Sequence, residues 1–267
     1  MISFKSFFLW RVLQQLRQKV HFILFNKKVV EHSYCGEKLK VLITDGLAQG
    51  WYDHDIGNLF EIELLQTSRL RPGATVFDLG AHQGVVGMIL ARKILPNGKV
   101  ICVEPNPHNF HALQKNIELN EFNHIYCIQS AIGEAEGELF FNSGLNGAAT
   151  VVKKYGRTFK VNKTTVNHLV KEFGNPDVVF MDIEGFEEKA LTAASKALSL
   201  PCDFFIEVHV GSGLESVGGN ILTVLEFFPA SKYNRFVHHD NGVPPIKIED
   251  ADKDFFKERF FLTALAK

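Results

Sequence analysis

The segment VFDLGAHQG places an aspartate, two glycines and a histidine where an apolar run ends. Asp78 precedes Gly80 by two residues, and Gly84 follows Gly80 by four. Glycine-lined turns between a strand and a helix commonly hold nucleotide-like ligands, because glycine has no Cβ to keep the ligand at a distance. This turn therefore predicts a cofactor site, and its spacing bears on which cofactor it holds.

The glycine spacing argues against two common cofactor classes. The dinucleotide fingerprint has its second glycine two residues after the first, where this chain has His82, and no GK[ST] follows to make a P-loop. Asp78 would repel a diphosphate but suits a cationic ligand such as S-adenosylmethionine, whose ammonium it could bind. Glu104 ends the next apolar run, where an acid accepts ribose hydroxyls. The pattern favours S-adenosylmethionine.

A second set of polar residues ends two later apolar runs. Asp182 and Glu184 follow DVVFM, and His209 follows FFIEV. A carboxylate, or a histidine with its pKa near ~6.5, could remove the proton of an acceptor hydroxyl. The same three residues could instead bind Mg²⁺ or Mn²⁺, an alternative left open. Asp182 could also cap a helix, and His209 could be a core histidine.

Apolar strand patterns alternate with helical patterns along most of the chain. Such alternation predicts an α/β, doubly wound, mostly parallel sheet buried on both faces, and two closing strands suggest an antiparallel finish. One domain over residues 51–267, preceded by an extension over residues 1–50, is the simplest organisation. The predicted strands lie in ATVFDLG, KVICVE, HIYCIQSAI, DVVFMDIEG, CDFFIEVHV, RFVHH and RFFLTALA.

The net charge of −1 conceals a basic N-terminus. Residues 1–30 carry six basic residues and no acid, whereas the remaining chain has 23 basic and 30 acidic residues. The acidic body argues against nucleic acid as a partner. Residues 1–28 read as a basic amphipathic helix, which could pack over the domain or contact an anionic membrane surface. The cysteines are scattered without a zinc-binding pattern, which fits a cytoplasmic protein. If residues 1–28 contact a membrane, the protein would be peripheral to the inner face of that membrane.

The segment from about residue 60 to 210 resembles the FkbM-type family of S-adenosylmethionine-dependent methyltransferases. The motifs that carry the resemblance are FDLGAHQG, VEPNP, SAIG, MDIEGFE and IEVHV, of which DxEG is the most specific. Family members more often have asparagine where this chain has His82. The resemblance implies a seven-stranded Rossmann-like methyltransferase sheet with an N-terminal helical extension. It also implies the cofactor-binding set Asp78, Gly80, Ala81, His82, Gly84, Glu104, Pro105, Asn106, Ser130, Ala131 and Asp182.

The expected activity is O-methylation of a hydroxyl on a sugar, glycan or natural-product intermediate. Its expected catalytic residues are Asp182, Glu184 and His209, and its partner is a small-molecule or glycan acceptor. N-methylation is less favoured, because DIEG stands where an NPPY-like tetrapeptide would be. The alternative is a catalytically weak, methyltransferase-like binding subunit.

Overall fold

The computed structural model describes residues 25–142, 158–240 and 242–267. The basic helix predicted for residues 1–28 falls almost wholly outside these ranges, and the division at residue 50 stays a prediction. In the part of the chain that the structure describes, no helix is long and apolar enough to cross a membrane.

A mostly parallel sheet forms the centre of the described structure. Its strands are β3 (Thr75–Leu79), β4 (Lys99–Val103), β5 (Ile125–Ile128), β9 (Val178–Met181), β10 (Asp203–Val208), β11 (Tyr233–His238), β12 (Ile246–Lys247) and β13 (Phe260–Ala266). Their spatial order is β12-β11-β13-β10-β9-β3-β4-β5. Strand β13 is antiparallel to both of its long neighbours, β10 and β11, which confirms the predicted antiparallel finish.

All seven predicted sheet strands are present, and the eighth, β12, was not predicted. It is a two-residue edge strand that pairs antiparallel with β11. A segment of two residues is too short to show the alternation of side chains that identifies a strand in a sequence. The doubly wound, Rossmann-like prediction is confirmed with this addition.

Helices cover both faces of the sheet, as a doubly wound fold requires. They are α1 (Gly46–Tyr52), α2 (Phe60–Gln66), α3 (Val85–Lys93), α4 (Pro107–Leu119), α5 (Val166–Phe173), α6 (Glu187–Thr192), α7 (Ser195–Leu198) and α8 (Ile221–Glu226). Neighbouring strand residues point to opposite faces, so Phe204 belongs to one hydrophobic cluster and Phe205 to the other. Phe205 stacks on Phe180 of the adjacent strand, with ring centroids 4.2 Å apart. Burial on both faces explains why these strands read as continuous apolar runs.

An N-terminal hairpin packs on one of these faces. Strands β1 (Lys28–Tyr34) and β2 (Glu37–Ile43) pair antiparallel and contribute Tyr34, Leu39 and Val41 to the hydrophobic cluster that contains α3. The pattern KLKVLITD in the sequence predicts the second strand, whereas no strand is predicted at the first. Residues 28–50 therefore share a core with the sheet.

A three-stranded sheet lies beside the central one and contains β6 (Ala131–Ile132), β7 (Gly137–Asn142) and β8 (Thr158–Thr164). The polar stretch after SAIG predicts a hairpin around GELFFN, and strands β7 and β8 pair antiparallel there. The single strand predicted over HIYCIQSAI is divided into β5 and β6. The chain turns at Ser130, whose hydroxyl donates to the Asn162 carbonyl of β8 at 2.9 Å, so β6 joins the smaller sheet.

Candidate functional site

The carboxyl ends of β3, β4, β9 and β10 border a cavity of about 380 Å³. This is the edge at which open α/β sheets bind ligands. Most predicted site residues lie on its wall: Asp78, Gly80, Ala81, His82, Glu104, Pro105, Ser130, Ala131, Asp182 and Glu184. Gly84, Asn106 and His209 are not among the lining residues of this cavity.

The two glycines of the turn are required mainly by protein packing. Gly80 has φ +92°, and a Cβ there would lie 1.8 Å from the backbone oxygen of Asp182. Gly84 has φ +87°, and its Cβ would lie 2.3 Å from Leu113 Cδ1 on α4. The sequence interpretation attributed both glycines to ligand approach. The structure instead shows that they let neighbouring strands and helices approach the turn.

Asp78 is a buried carboxylate on the floor of the cavity. It is 2% exposed, and Cys102 Sγ lies 3.6 Å from its Oδ2. Gly87 of α3 makes room for it, because a Cβ there would lie 2.8 Å from the same oxygen. Burial raises the pKa of Asp78 to about 7, more than the Cys102 contact lowers it. A cationic group in the cavity would stabilise its charged form.

Glu104 is held in place by two backbone hydrogen bonds. Its Oε2 accepts from His82 N–H at 2.9 Å and its Oε1 from Asn106 N–H at 2.7 Å. Burial raises the pKa of Glu104 to about 8 against the effect of these bonds. Each carboxylate oxygen retains a lone pair for a further donor, as ribose hydroxyls would supply. Asn106 itself caps α4 by accepting from His108 N–H at 2.9 Å.

His82 connects the turn to α1, which the sequence analysis did not place at the site. The backbone of His82 has φ +49°, and its Nδ1 lies 3.0 Å from the Tyr52 hydroxyl. Burial lowers the pKa of His82 to about 4, so the ring is neutral. Its Nε2 is buried and has no hydrogen-bond partner among the described residues. This atom is available to a ligand in the cavity.

Trp51 lies beside His82 at the mouth of the cavity. The centroids of the two rings are 5.1 Å apart, and Trp51 remains 44% exposed. Nothing in the sequence indicated that GWYDHD lies near the turn, because the contact of this segment with His82 depends on how α1 packs. An aromatic face at the opening offers a surface on which a ring-shaped acceptor can stack.

Asp45 fixes α1 in this position. Its side chain caps the helix by accepting from Leu47 N–H and Ala48 N–H at 2.9 and 2.8 Å. The same carboxylate accepts from Gln83 Nε2 at 2.9 Å and lies 2.8 Å from His108 Nε2. Burial would raise the pKa of Asp45, but these hydrogen bonds lower it well below its usual value. A buried, ionised aspartate thus ties α1 to the cofactor turn and to α4.

His209 lies at the carboxyl end of β10, surrounded by carboxylates. Its Nδ1 is 2.9 Å from Oε1 of the fully buried Glu187. Its Nε2 lies 3.4 Å from Glu184 Oε2, 3.6 Å from Glu207 Oε1 and 3.7 Å from Asp182 Oδ1. Burial would lower the pKa of His209, but these carboxylates raise it to about 9. The cluster therefore retains a proton at neutral pH when no other cation is bound.

Asp182 brings this carboxylate cluster into contact with the cavity. Its side chain is 42% exposed, whereas its Oδ1 is buried without a hydrogen-bond partner among the described residues. Burial, followed by the charge of Glu207, raises the pKa of Asp182. Glu207 also lines the cavity and pairs with Arg259 Nη1 at 2.7 Å.

Glu207 and Glu187 belong to this cluster but were not predicted, although the sequence carries a signal for Glu207. Glu207 precedes His209 by two residues within FFIEVH, so both side chains leave the strand on the same side. Asp182 and Glu184 have the same two-residue spacing, and both were predicted. The contact of Glu187 with His209 arises from the packing of α6 against β10, which no local pattern shows.

The chain is similar to one protein family and to several solved structures. The family model of the methyltransferase FkbM domain matches residues 78–236. Among solved structures, an FkbM methyltransferase from Methylobacillus flagellatus has 17% identity and a TM-score of 0.49, covering 72% of this chain and 43% of that chain. An O-methyltransferase from Bacillus cereus in complex with S-adenosylhomocysteine has 13% identity and a TM-score of 0.48, covering 83% and 86%. A search of curated proteins finds no match.

The family match spans more than half of the chain, from Asp78 on the cavity floor to β11. It includes the glycine turn, Glu104 and the whole carboxylate cluster around His209. The chain therefore belongs to the FkbM family of S-adenosylmethionine-dependent methyltransferases.

Proposed function

We propose that this methyltransferase acts on a hydroxyl oxygen of a sugar, glycan or natural-product intermediate. The observation that carries the proposal is the position of Asp182, whose carboxylate faces the same cavity as Asp78 and Glu104. An alcohol must lose its proton as it is methylated, whereas many nitrogen acceptors need no base. A carboxylate on the cavity wall supports an acceptor that carries a proton.

The residues on the cavity wall fit S-adenosylmethionine. Asp78 offers an anionic partner to an ammonium, and Glu104 offers two oxygens to ribose hydroxyls. Ser130, Ala131, Ile132 and Leu139 also line the cavity, and their small or apolar side chains suit adenine. The unpartnered Nε2 of His82 gives a further polar contact. When bound, the cofactor supplies a methyl group on a cationic sulfur.

The chain's own contribution is to position the acceptor and take its proton. The Asp182 carboxylate, which is partly exposed, is the proposed proton acceptor, and neighbouring Glu184 can receive a second acceptor hydroxyl. Trp51 supplies an exposed ring at the cavity mouth, on which the apolar face of a sugar can stack. Holding both reactants in one enclosed cavity accounts for much of the acceleration of a displacement reaction, because alignment replaces a random encounter.

Transfer of a labelled methyl group tests the proposed function. We expect the full chain to bind S-adenosylhomocysteine without responding to NAD, and to label an acceptor in the glycan or small-molecule fraction of a cell extract. The label should be stable to mild base and to amine-specific chemistry, as an ether is. Labelling of protein or amine nitrogen would contradict the proposal. Cofactor binding without transfer to any fraction would favour a binding subunit.

The affinity for S-adenosylhomocysteine should rise with pH between about 6 and 8. The unliganded protein holds Asp78 with a pKa of about 7 and Glu104 with a pKa of about 8, so both are largely protonated at pH 6. An ammonium prefers the ionised Asp78, so binding at low pH must release a proton. Each proton released gives a slope of up to about tenfold per pH unit. Calorimetry in two buffers of different ionisation enthalpy measures both the slope and the proton release.

Asp78→Asn is the control for this pH dependence. The variant should bind more weakly at pH 8 and should lose the part of the slope that Asp78 contributes. A flat affinity in the original chain, without proton release, would contradict the assignment of Asp78 to the ammonium.

A further inference from the structure

Three donor atoms from two strands converge at the inner edge of the cavity. They come from Asp182 after β9 and from Glu207 and His209 at the end of β10, and one ligand atom of each residue lies within 4.8 Å of the other two. The Nε2 atom lies 3.6 Å from the Glu207 oxygen and 3.7 Å from the Asp182 oxygen. Ligand atoms around an octahedral Mg²⁺ at ~2.1 Å are about 3 Å apart when adjacent and about 4 Å apart when opposite. The two distances from Nε2 thus lie between these values.

His209 is an independent indication of a ligand at this position. The residue is 3% exposed, and Glu187 holds its Nδ1 at 2.9 Å. Its Nε2 has no partner within the usual hydrogen-bond range of ~2.7–3.2 Å among the described residues. A histidine fixed at one nitrogen by a buried carboxylate, with the other aimed at further carboxylates, is the arrangement that orients a metal ligand.

The charges around His209 favour a cation. Four acidic residues face the ring, namely Asp182, Glu184, Glu187 and Glu207. Arg259 Nη1 pairs with Glu207 Oε1 at 2.7 Å and so offsets one of these four charges. Asp182 Oδ1 and Glu187 Oε2 are buried without hydrogen-bond partners among the described residues. A bound cation would compensate these buried acceptors, which otherwise cost free energy.

We propose that Asp182, Glu207 and His209 bind one hard divalent cation, of the Mg²⁺ or Mn²⁺ class, at the acceptor end of the cavity. Two carboxylate oxygens and one imidazole suit these ions better than soft metals, which prefer thiolates. Three protein donors leave coordination positions for water or substrate oxygens.

The proposed ion narrows the acceptor class, and this step rests on the proposed function. An ion with open positions at the cavity wall can bind two neighbouring oxygens of one acceptor and make the reacting hydroxyl more acidic. The substrate class is therefore a vicinal diol, or a hydroxyl beside a carbonyl or carboxylate. Glu184, beside the three donors, would then contact the acceptor or a metal-bound water.

Manganese binding to the full chain tests the metal site without any methyl acceptor. In electron paramagnetic resonance, free Mn²⁺ should lose its signal as one ion binds per chain in the presence of S-adenosylhomocysteine, and Mg²⁺ should compete. Glu207→Gln and Asp182→Asn should each weaken Mn²⁺ binding by about 10- to 100-fold, the usual effect of disturbing a metal's surroundings. Thermal midpoints and S-adenosylhomocysteine affinity show whether each variant is folded.

Glu184→Gln is the matched control, since it removes one negative charge from the same cluster but none of the three donors. Its effect on Mn²⁺ affinity should be about fivefold or less, as for a partly exposed ion pair. Absence of one-to-one binding by a chain that binds S-adenosylhomocysteine would overturn the metal site and leave the proposed function intact. Equal weakening by all three variants would also overturn it, in favour of diffuse charge. Mn²⁺ binding by a chain that transfers no methyl group would instead reject the proposed function alone.

Discussion

Replacing Gly80 with alanine will destabilise the folded protein by about 2–5 kcal/mol and abolish cofactor binding. The backbone at Gly80 has φ +92°, which costs an L-residue about 1–2 kcal/mol. The new Cβ would also lie 1.8 Å from the Asp182 carbonyl oxygen, so β3 and β9 must move apart. Overpacking of this kind adds about 1–3 kcal/mol. Both the glycine turn and Asp182 would leave their positions in the site.

Gly73→Ala is the matched control for this substitution. Gly73 has φ +88°, but nothing lies within 4 Å of the Cβ it would gain. It should therefore cost about 1 kcal/mol, because backbone strain is partly offset by a less flexible unfolded chain. Urea unfolding of both variants, with S-adenosylhomocysteine titration, separates the cost of backbone strain from the cost of the Cβ overlap with Asp182. Equal destabilisation by the two substitutions would show that the contact with Asp182 is not a constraint.

Asp182→Asn will lower methyl transfer by about 10²- to 10⁴-fold, the range expected for loss of a general base. Asparagine has nearly the same shape, and Asp182 Oδ1 has no hydrogen-bond partner among the described residues that the change would break. The protein should remain folded, and its affinity for S-adenosylhomocysteine should change by less than about tenfold. Single-turnover transfer of labelled methyl to the extract fraction identified above measures the effect.

Asp78→Asn is the comparison that separates cofactor binding from catalysis. It removes a carboxylate from the same cavity, but one at the end assigned to the cofactor ammonium. Asp78→Asn should lose cofactor affinity, and its transfer should recover partly at high cofactor concentration. Asp182→Asn should not recover. If cofactor concentration restores transfer in Asp182→Asn, the residue belongs to the cofactor site and another group removes the proton.

The main sheet and its cofactor end could be predicted from the sequence for a local reason. Buried parallel strands must be apolar along their whole length, so the apolar runs ATVFDLG, KVICVE and DVVFM can be recognised as strands. Functional residues in such folds follow the strands directly, which made Asp78 and Glu104 recognisable. The antiparallel finish was also predicted, because no helical pattern separates the last two strands. The edge strand β12 was missed because two residues carry no pattern.

Other residues of the site became visible only with the tertiary contacts. Tyr52 and Trp51 reach His82 because Asp45 anchors α1 to Gln83, a residue 38 positions away in the chain. A hydrogen bond between residues so far apart leaves no periodic pattern in the sequence. The packing role of the turn glycines was also not predicted, since the spacing shows that a Cβ is excluded but not which atom excludes it.

By itself, the sequence determined the fold family, the cofactor turn with Glu104, and the strand ends that carry Asp182 and His209. Each of these depends on residues close together in the chain, where burial and turn geometry leave a readable pattern. The tertiary structure decided what surrounds them: the aromatic mouth from α1, and the convergence of Asp182, Glu207 and His209. Those contacts depend on how separate elements pack. Packing brings together side chains that are far apart in the chain, and no local sequence pattern shows that they will meet.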